Sequence, residues 1–213
     1  MKPSGGYAVM AQKHDRIDFL EDYPTPPWAV RALVEHVICV GRGRQFDMRR
    51  ENVWEPAANR GYMVRPLREY FAIVHGSDVH DYGAGFEVAD FLMHGTGGPG
   101  EYDWIITNPP FRLAAQFAEK CLRLRPRKGF ALLTRATFLE GQQRYEELFK
   151  PHPPTIVAPF VERVPMVKGR HDPKASTATA YTWIVWGPRW EDGETRLQLI
   201  PPCRRQLQKP SDA

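Results

Sequence analysis

At 213 residues, with 42% apolar and 25% charged content, the chain has the length and balance of a single globular domain able to bury a real core. Its formal charge of +4 permits an acidic partner such as nucleic acid without demanding one. Three distant cysteines, Cys39, Cys121 and Cys203, and seven histidines without HxH or HExxH spacing argue against a disulfide framework, a zinc site or another metal centre, and the want of a membrane-length apolar run or a signal-peptide core points to the cytoplasm.

In chain order, "TPPWAVRALVEHVICV" (25–40) predicts a helix with Thr25 as N-cap, prolines in its first turn and Val30, Leu33, Val34 and Val37 on one apolar face. "ENVWEPAANRGYM" (51–63) predicts a short strand running into a turn, followed by a helix through Leu67 and Phe71. "FAIVHGSD" (71–78) reads as a strand, "FEVADFL" (86–92) as a short strand or turn, and "YDWIITN" (102–108) as a buried strand. "FRLAAQFAEKCLRL" (111–124) has helical periodicity, with Cys121 packing as a small hydrophobe. "GFALLTR" (129–135) follows as a strand and "FLEGQQRYEELFK" (138–150) as a helix. "TIVAPFV" (155–161) and "AYTWIVWG" (180–187) close the pattern, with no helix between them, as an antiparallel hairpin at one edge. The alternation predicts an α/β architecture: a Rossmann-like, doubly wound and mostly parallel sheet, covered on both faces. It forms one domain over 1–213, with about 1–16 and 203–213 as flexible tails.

In open α/β sheets ligands bind beyond the carboxyl ends of the strands, at the switch in strand order. Three predicted strands end there in polar turns: "WEPAANRG", "GSD" and "NPPF". The last is the most informative. Proline has no N–H and a fixed φ, and the residue before it is pushed towards extended backbone, so Asn108 and Pro109 form a stiff elbow rich in acceptors. With Phe111 as a flat apolar face, that elbow suits an exocyclic amine on an aromatic base.

Together these residues resemble the S-adenosylmethionine-dependent amino-methyltransferases, specifically the DNA adenine N6 class and its small prophage-type members, over roughly 17–187. Asn108-Pro109-Pro110-Phe111 matches the family's (D/N/S)PP(Y/F/W) motif. "EPAANRG" (55–61) resembles its cofactor loop, with Asn59 where glycine is usual and Gly61 retained, and "YPTPPWAV" (23–30) resembles the segment that closes over the methionine end. The segment order is that of the γ arrangement. The resemblance implies a Rossmann-like methyltransferase fold. It also implies S-adenosylmethionine held by Thr25, Pro26, Glu55, Pro56, Ala57, Asn59, Gly61, Asp78, Val79, Asp90, Phe91 and Asn108. Glu55 would take the methionine amino group, Thr25 its carboxylate, Asp78 the ribose hydroxyls and Asp90 the adenine amine.

Catalysis would rest on Asn108, Pro109, Pro110 and Phe111. Hydrogen bonds from the target amine to the Asn108 side chain and the Pro109 carbonyl free the nitrogen lone pair for in-line attack on the sulfonium methyl, while Phe111 stacks on a flipped-out adenine. DNA is the expected partner, with 160–179 as the contacting loop through Lys168, Arg170, His171 and Lys174, and with Arg135 and Arg144 lining the channel. So short a loop implies relaxed or very short sequence specificity, or a second subunit. The elbow is shared with methyltransferases acting on RNA bases or protein glutamine, which stays an alternative, as does an inactive nucleic-acid-binding relative of the fold.

Overall fold

The computed structural model describes residues 21–40, 48–93, 95, 97–172, 175, 177–187 and 193–212. Lys174 and the tail 1–16 lie outside the described residues.

Eight strands form one sheet: β1 (Asn52–Glu55), β2 (Ile73–Asp78), β3 (Glu87–Val88), β4 (Trp104–Thr107), β5 (Gly129–Arg135), β6 (Ile156–Pro159), β7 (Tyr181–Trp186) and β8 (Arg196–Leu197). Their order is β3-β2-β1-β4-β5-β7-β6-β8. All are parallel except β7, which runs antiparallel between β5 and β6. Period-two alternation divides the central strands between two apolar layers. Trp104, Ile106, Ala131, Leu133, Trp183 and Val185 face one layer. Ile105, Phe130, Leu132, Ile184 and Trp186 face the other.

The first layer is completed by helix α1 (Pro27–Leu33), continued by a wider π-helical turn through Ile38, and by α2 (Val64–Leu67). The second is covered by α3 (Ala114–Leu124), whose Phe117, Ala118 and Cys121 turn inward. Burial pushes the Cys121 thiol far above its ordinary range, so it is a packing group and not a nucleophile.

Four expectations need correction. Thr25 is not the N-cap of α1. That position is Pro26, whose carbonyl accepts from Ala29 N at 2.9 Å, and the Thr25 hydroxyl lies one residue too early to serve the first turn. The helix expected over 138–150 is broken at Gly141, whose φ of 111° no helix admits, and α4 (Gln142–Arg144, continued by a π-helical turn through Phe149) begins after it. The final hairpin does not form the sheet edge, because β8 adds outside β6. The segment from Cys203 is not a loose tail. Glu162 Oε2 accepts from Cys203 N and Arg204 N at the start of α5 (Arg204–Leu207), and Asp212 is buried against Arg31, 2.7 Å from its Nη1.

Candidate active site

The strand order reverses between β1 and β4, and the carboxyl ends of β1, β2 and β4 meet beside a cleft. Thr25, Pro56, Ala57, Asn59, Asp78, Val79, Asp90, Phe91, Asn108 and Pro110 line it. Of the other expected residues, Glu55, Gly61, Pro26, Pro109 and Phe111 are not among the residues that line it. Glu21, Tyr23, Tyr62, Tyr82 and Phe117 also line the cleft. Sequence reasoning missed them as site residues; Tyr23 alone carried a signal, as the first residue of the 23–30 segment.

Glu55 ends β1 with no exposed surface. Its Oε1 accepts from Thr107 Oγ1 at 2.6 Å and Ala57 N at 2.9 Å, while its Oε2 has no partner among the described residues. Burial pushes its pKa up to about 8 against the pull of those two donors, with nearby Asp78 adding repulsion. Asp78 ends β2. Burial also raises its pKa, opposed by backbone donors: His80 N to Oδ1 and Asn59 N to Oδ2, each 2.9 Å. Each oxygen of Asp78 keeps a second lone pair.

The turn after β1 depends on Asn59, which adopts a φ of 51° as asparagine can and most residues cannot. Gly61 has a φ of 82°, which strains any other L residue, and a Cβ there would lie 3.0 Å from the Phe86 ring, which would have to give way.

Asn108 leaves β4 with its amide fixed. Nδ2 donates to the Tyr23 carbonyl at 3.0 Å, whereas Oδ1 is buried without a donor among the described residues. Thr25 Oγ1 is likewise buried and unpartnered. Among the described residues four buried side-chain oxygens lack a hydrogen-bond partner, on Thr25, Glu55, Asn108 and Thr134, and the first three belong to this corner. Buried polar atoms are almost always satisfied, so such a cluster marks a place for a ligand with N–H or O–H groups. Phe111 stands beside it within an aromatic group, its ring centroid 5.3 Å from Tyr23 and 6.0 Å from Tyr181, with the Arg135 guanidinium 4.3 Å above its ring.

The expected nucleic-acid contacts divide. Lys168 and Arg170 are exposed, Arg170 with a 3.3 Å contact to Asp172, and Arg135 is exposed beside Phe111. Arg144 is turned into its own loop instead, donating to the carbonyls of Phe138 and Glu140 and stacking on Phe138. His171 lies against Tyr62 at 5.2 Å with both ring nitrogens buried, and burial lowers its pKa. A neutral, covered imidazole is a poor phosphate ligand.

No family model and no curated protein matches the chain. Solved structures do. The type I restriction-modification methyltransferase subunit from Streptococcus thermophilus matches with a TM-score of 0.59 at 12% identity, over 100% of this chain and 55% of that one. The modification subunit of a protein described as a type I restriction enzyme from Vibrio vulnificus matches with 0.52 at 16%, over 86% and 49%. A protein described as an RNA methyltransferase from Pyrococcus horikoshii matches with 0.52 at 15%, over 81% and 94%. The chain thus spans about half the length of the two modification subunits. What it shares with all three is architecture: the fold is the Rossmann-like α/β fold of methyltransferases.

Proposed function

We propose that the chain transfers a methyl group from S-adenosylmethionine to the exocyclic N6 amine of adenine in DNA. The observation that carries this reading is the Asn108 amide, held by its nitrogen on the Tyr23 carbonyl so that its buried oxygen is left to accept. The cofactor supplies, when bound, a methyl group on a sulfonium centre. The residues present fit it. Glu55 Oε2 is an unpartnered acceptor for an ammonium group, and Thr25 Oγ1 can donate to a carboxylate. Asp78 retains a lone pair on each oxygen for a pair of ribose hydroxyls, and Asp90, Val79 and Phe91 line the part of the cleft assigned to the adenine.

Asn108 Oδ1 and the Pro109 carbonyl then receive the two hydrogens of the target amine. This would favour a pyramidal nitrogen with its lone pair free to take the methyl group that the bound cofactor would supply, one amine proton being lost in exchange. The rate gain comes from orientation, which supplies up to about 7–11 kcal/mol in well-aligned cases, and from fixed acceptors. A base inside a duplex cannot reach this elbow and must be flipped out. Phe111 is its stacking face, and Arg135 provides a cation beside it.

The test is tritium transfer from labelled S-adenosylmethionine to DNA, RNA and protein pools. DNA should take the label, and Asn108→Ala should lower transfer about 10²–10³-fold while cofactor affinity changes little. Equal loss of both would show the catalytic role to be misplaced. An RNA base is the second reading, favoured by the near full-length match to the Pyrococcus horikoshii protein. Label in RNA alone would establish it.

A further inference from the structure

Asp22 joins three segments around the cleft. Its Oδ1 accepts from Asn59 Nδ2 at 2.6 Å and its Oδ2 from Arg60 Nη1 at 2.9 Å. Its backbone carbonyl accepts from Gly169 N at 2.8 Å. One residue on, the Tyr23 carbonyl accepts from Asn108 Nδ2. A carbonyl can only accept, so it selects the amino end of the Asn108 amide and turns Oδ1 the other way. The direction of that oxygen therefore depends on where Tyr23 is held, and Tyr23 is held by its neighbour.

Asn59 is itself well fixed. Its N–H donates to Asp78 and its Oδ1 accepts from Arg60 N at 2.7 Å, which leaves Nδ2 to reach Asp22. Glycine, usual at this position in the family the sequence resembles, would keep the left-handed turn and the backbone bond to Asp78 but could not make that reach. The side chain that departs from the pattern makes the connection.

We infer that Asp22 and Asn59 are a positioning pair which ties the turn after β1 to the 21–25 segment and so sets the direction of the Asn108 acceptor. Its consequence for catalysis rests on the methyl-transfer reading; the mechanical link does not. Breaking the pair acts on turnover more than on cofactor affinity: of the proposed cofactor contacts only Thr25, in the same segment, is loosened, while the Asp78 contacts and the buried Glu55 remain in place.

Asn59→Gly and Asp22→Ala test this. Each should lower kcat about 10-fold, while the KM for S-adenosylmethionine and the calorimetric Kd for S-adenosylhomocysteine stay within about 3-fold of wild type. The double variant should be no worse than the poorer single one, because both remove one bridge. The reversed pair Asn59→Asp with Asp22→Asn should regain part of the loss. Independently of activity, the side-chain NH2 of Asn108, followed by NMR in 15N-asparagine-labelled protein, should exchange faster with solvent in both variants. Should Asn59→Gly fail to fold, Asp22→Ala on the half-buried segment carries the test alone. Wild-type kcat and unchanged Asn108 exchange would overturn the pair. Faster exchange in a protein whose wild type neither binds cofactor nor transfers methyl would support the link and refute the functional reading instead.

Discussion

Glu55 holds a carboxyl group in full burial with one oxygen unpartnered, and the two donors on the other oxygen do not offset its desolvation. Its pKa in the fold, about 8, stands above the ordinary 4.5. The folded state therefore binds the proton more tightly than the unfolded chain, and stability from this group is full below about pH 4.5 and lost as pH rises through about 8. Glu55→Gln, which does not titrate, should gain stability relative to wild type between pH 5 and pH 8, by several kcal/mol at roughly 1.4 kcal/mol per unit. Urea unfolding of both proteins at the two pH values measures it, and a constant difference would mean that Glu55 ionises normally. Single residues were unevenly legible. Glu55, Asp78 and Asn108 could be placed because strand ends and proline geometry fix where they emerge. Asn59 could be read as keeping a left-handed turn, but its bond to Asp22 could not, since a carboxylate 37 positions away leaves no local pattern. Thr25 was misread for a local reason: a threonine before prolines looks like a cap, yet its hydroxyl points into a buried corner.

Helix α1 is short, and its polar anchor is Arg31, which is buried and shared between two carboxylates. Its Nε and Nη2 reach Glu69, Nη2 also reaches Asp212, and Nη1 contacts Asp212 and the Leu207 carbonyl. The chain after α5 thereby closes over the helix that follows the 21–25 segment. Asp212→Ala should cost about 1–3 kcal/mol, the usual penalty for leaving a buried donor short of a partner. A urea-melt difference below about 0.5 kcal/mol would show the contact to be incidental. Elements were legible where alternation is long. β4, β5 and β7 could be read directly because their residues divide cleanly between two apolar layers. β8 could not, being two exposed residues that exist as a strand only by pairing with β6. The long helix expected after β5 failed because one glycine outweighs a helical pattern.

Across the whole molecule, the parallel strands deliver their polar ends to one side of the sheet, where the connection between β6 and β7 also arrives and touches Asp22 through Gly169. The convergence of three polar strand ends was foreseeable from topology. The closing of the cleft by residues 21–25 was not, because it depends on contacts between segments far apart in sequence. This arrangement separates two tasks. The described lining of the cleft is rich in carboxylates, Glu21, Asp78 and Asp90, with no lysine or arginine among the described residues, a charge balance that favours a cationic guest over a phosphate backbone. In the proposed reading any polyanion contacts come from outside it, and Lys168 and Arg170 on the exposed connection are the proposed ones. Each phosphate neutralised contributes about −0.9 to the slope of log affinity against log salt. Replacing both residues with alanine should therefore weaken binding to duplexes of any sequence alike and make that slope shallower by about 2, while the calorimetric affinity for S-adenosylhomocysteine is unchanged because neither side chain lines the cleft. An unaltered slope would remove the 160–179 loop from the interface, whereas a loss confined to one sequence would make these residues readers of bases instead of holders of the backbone.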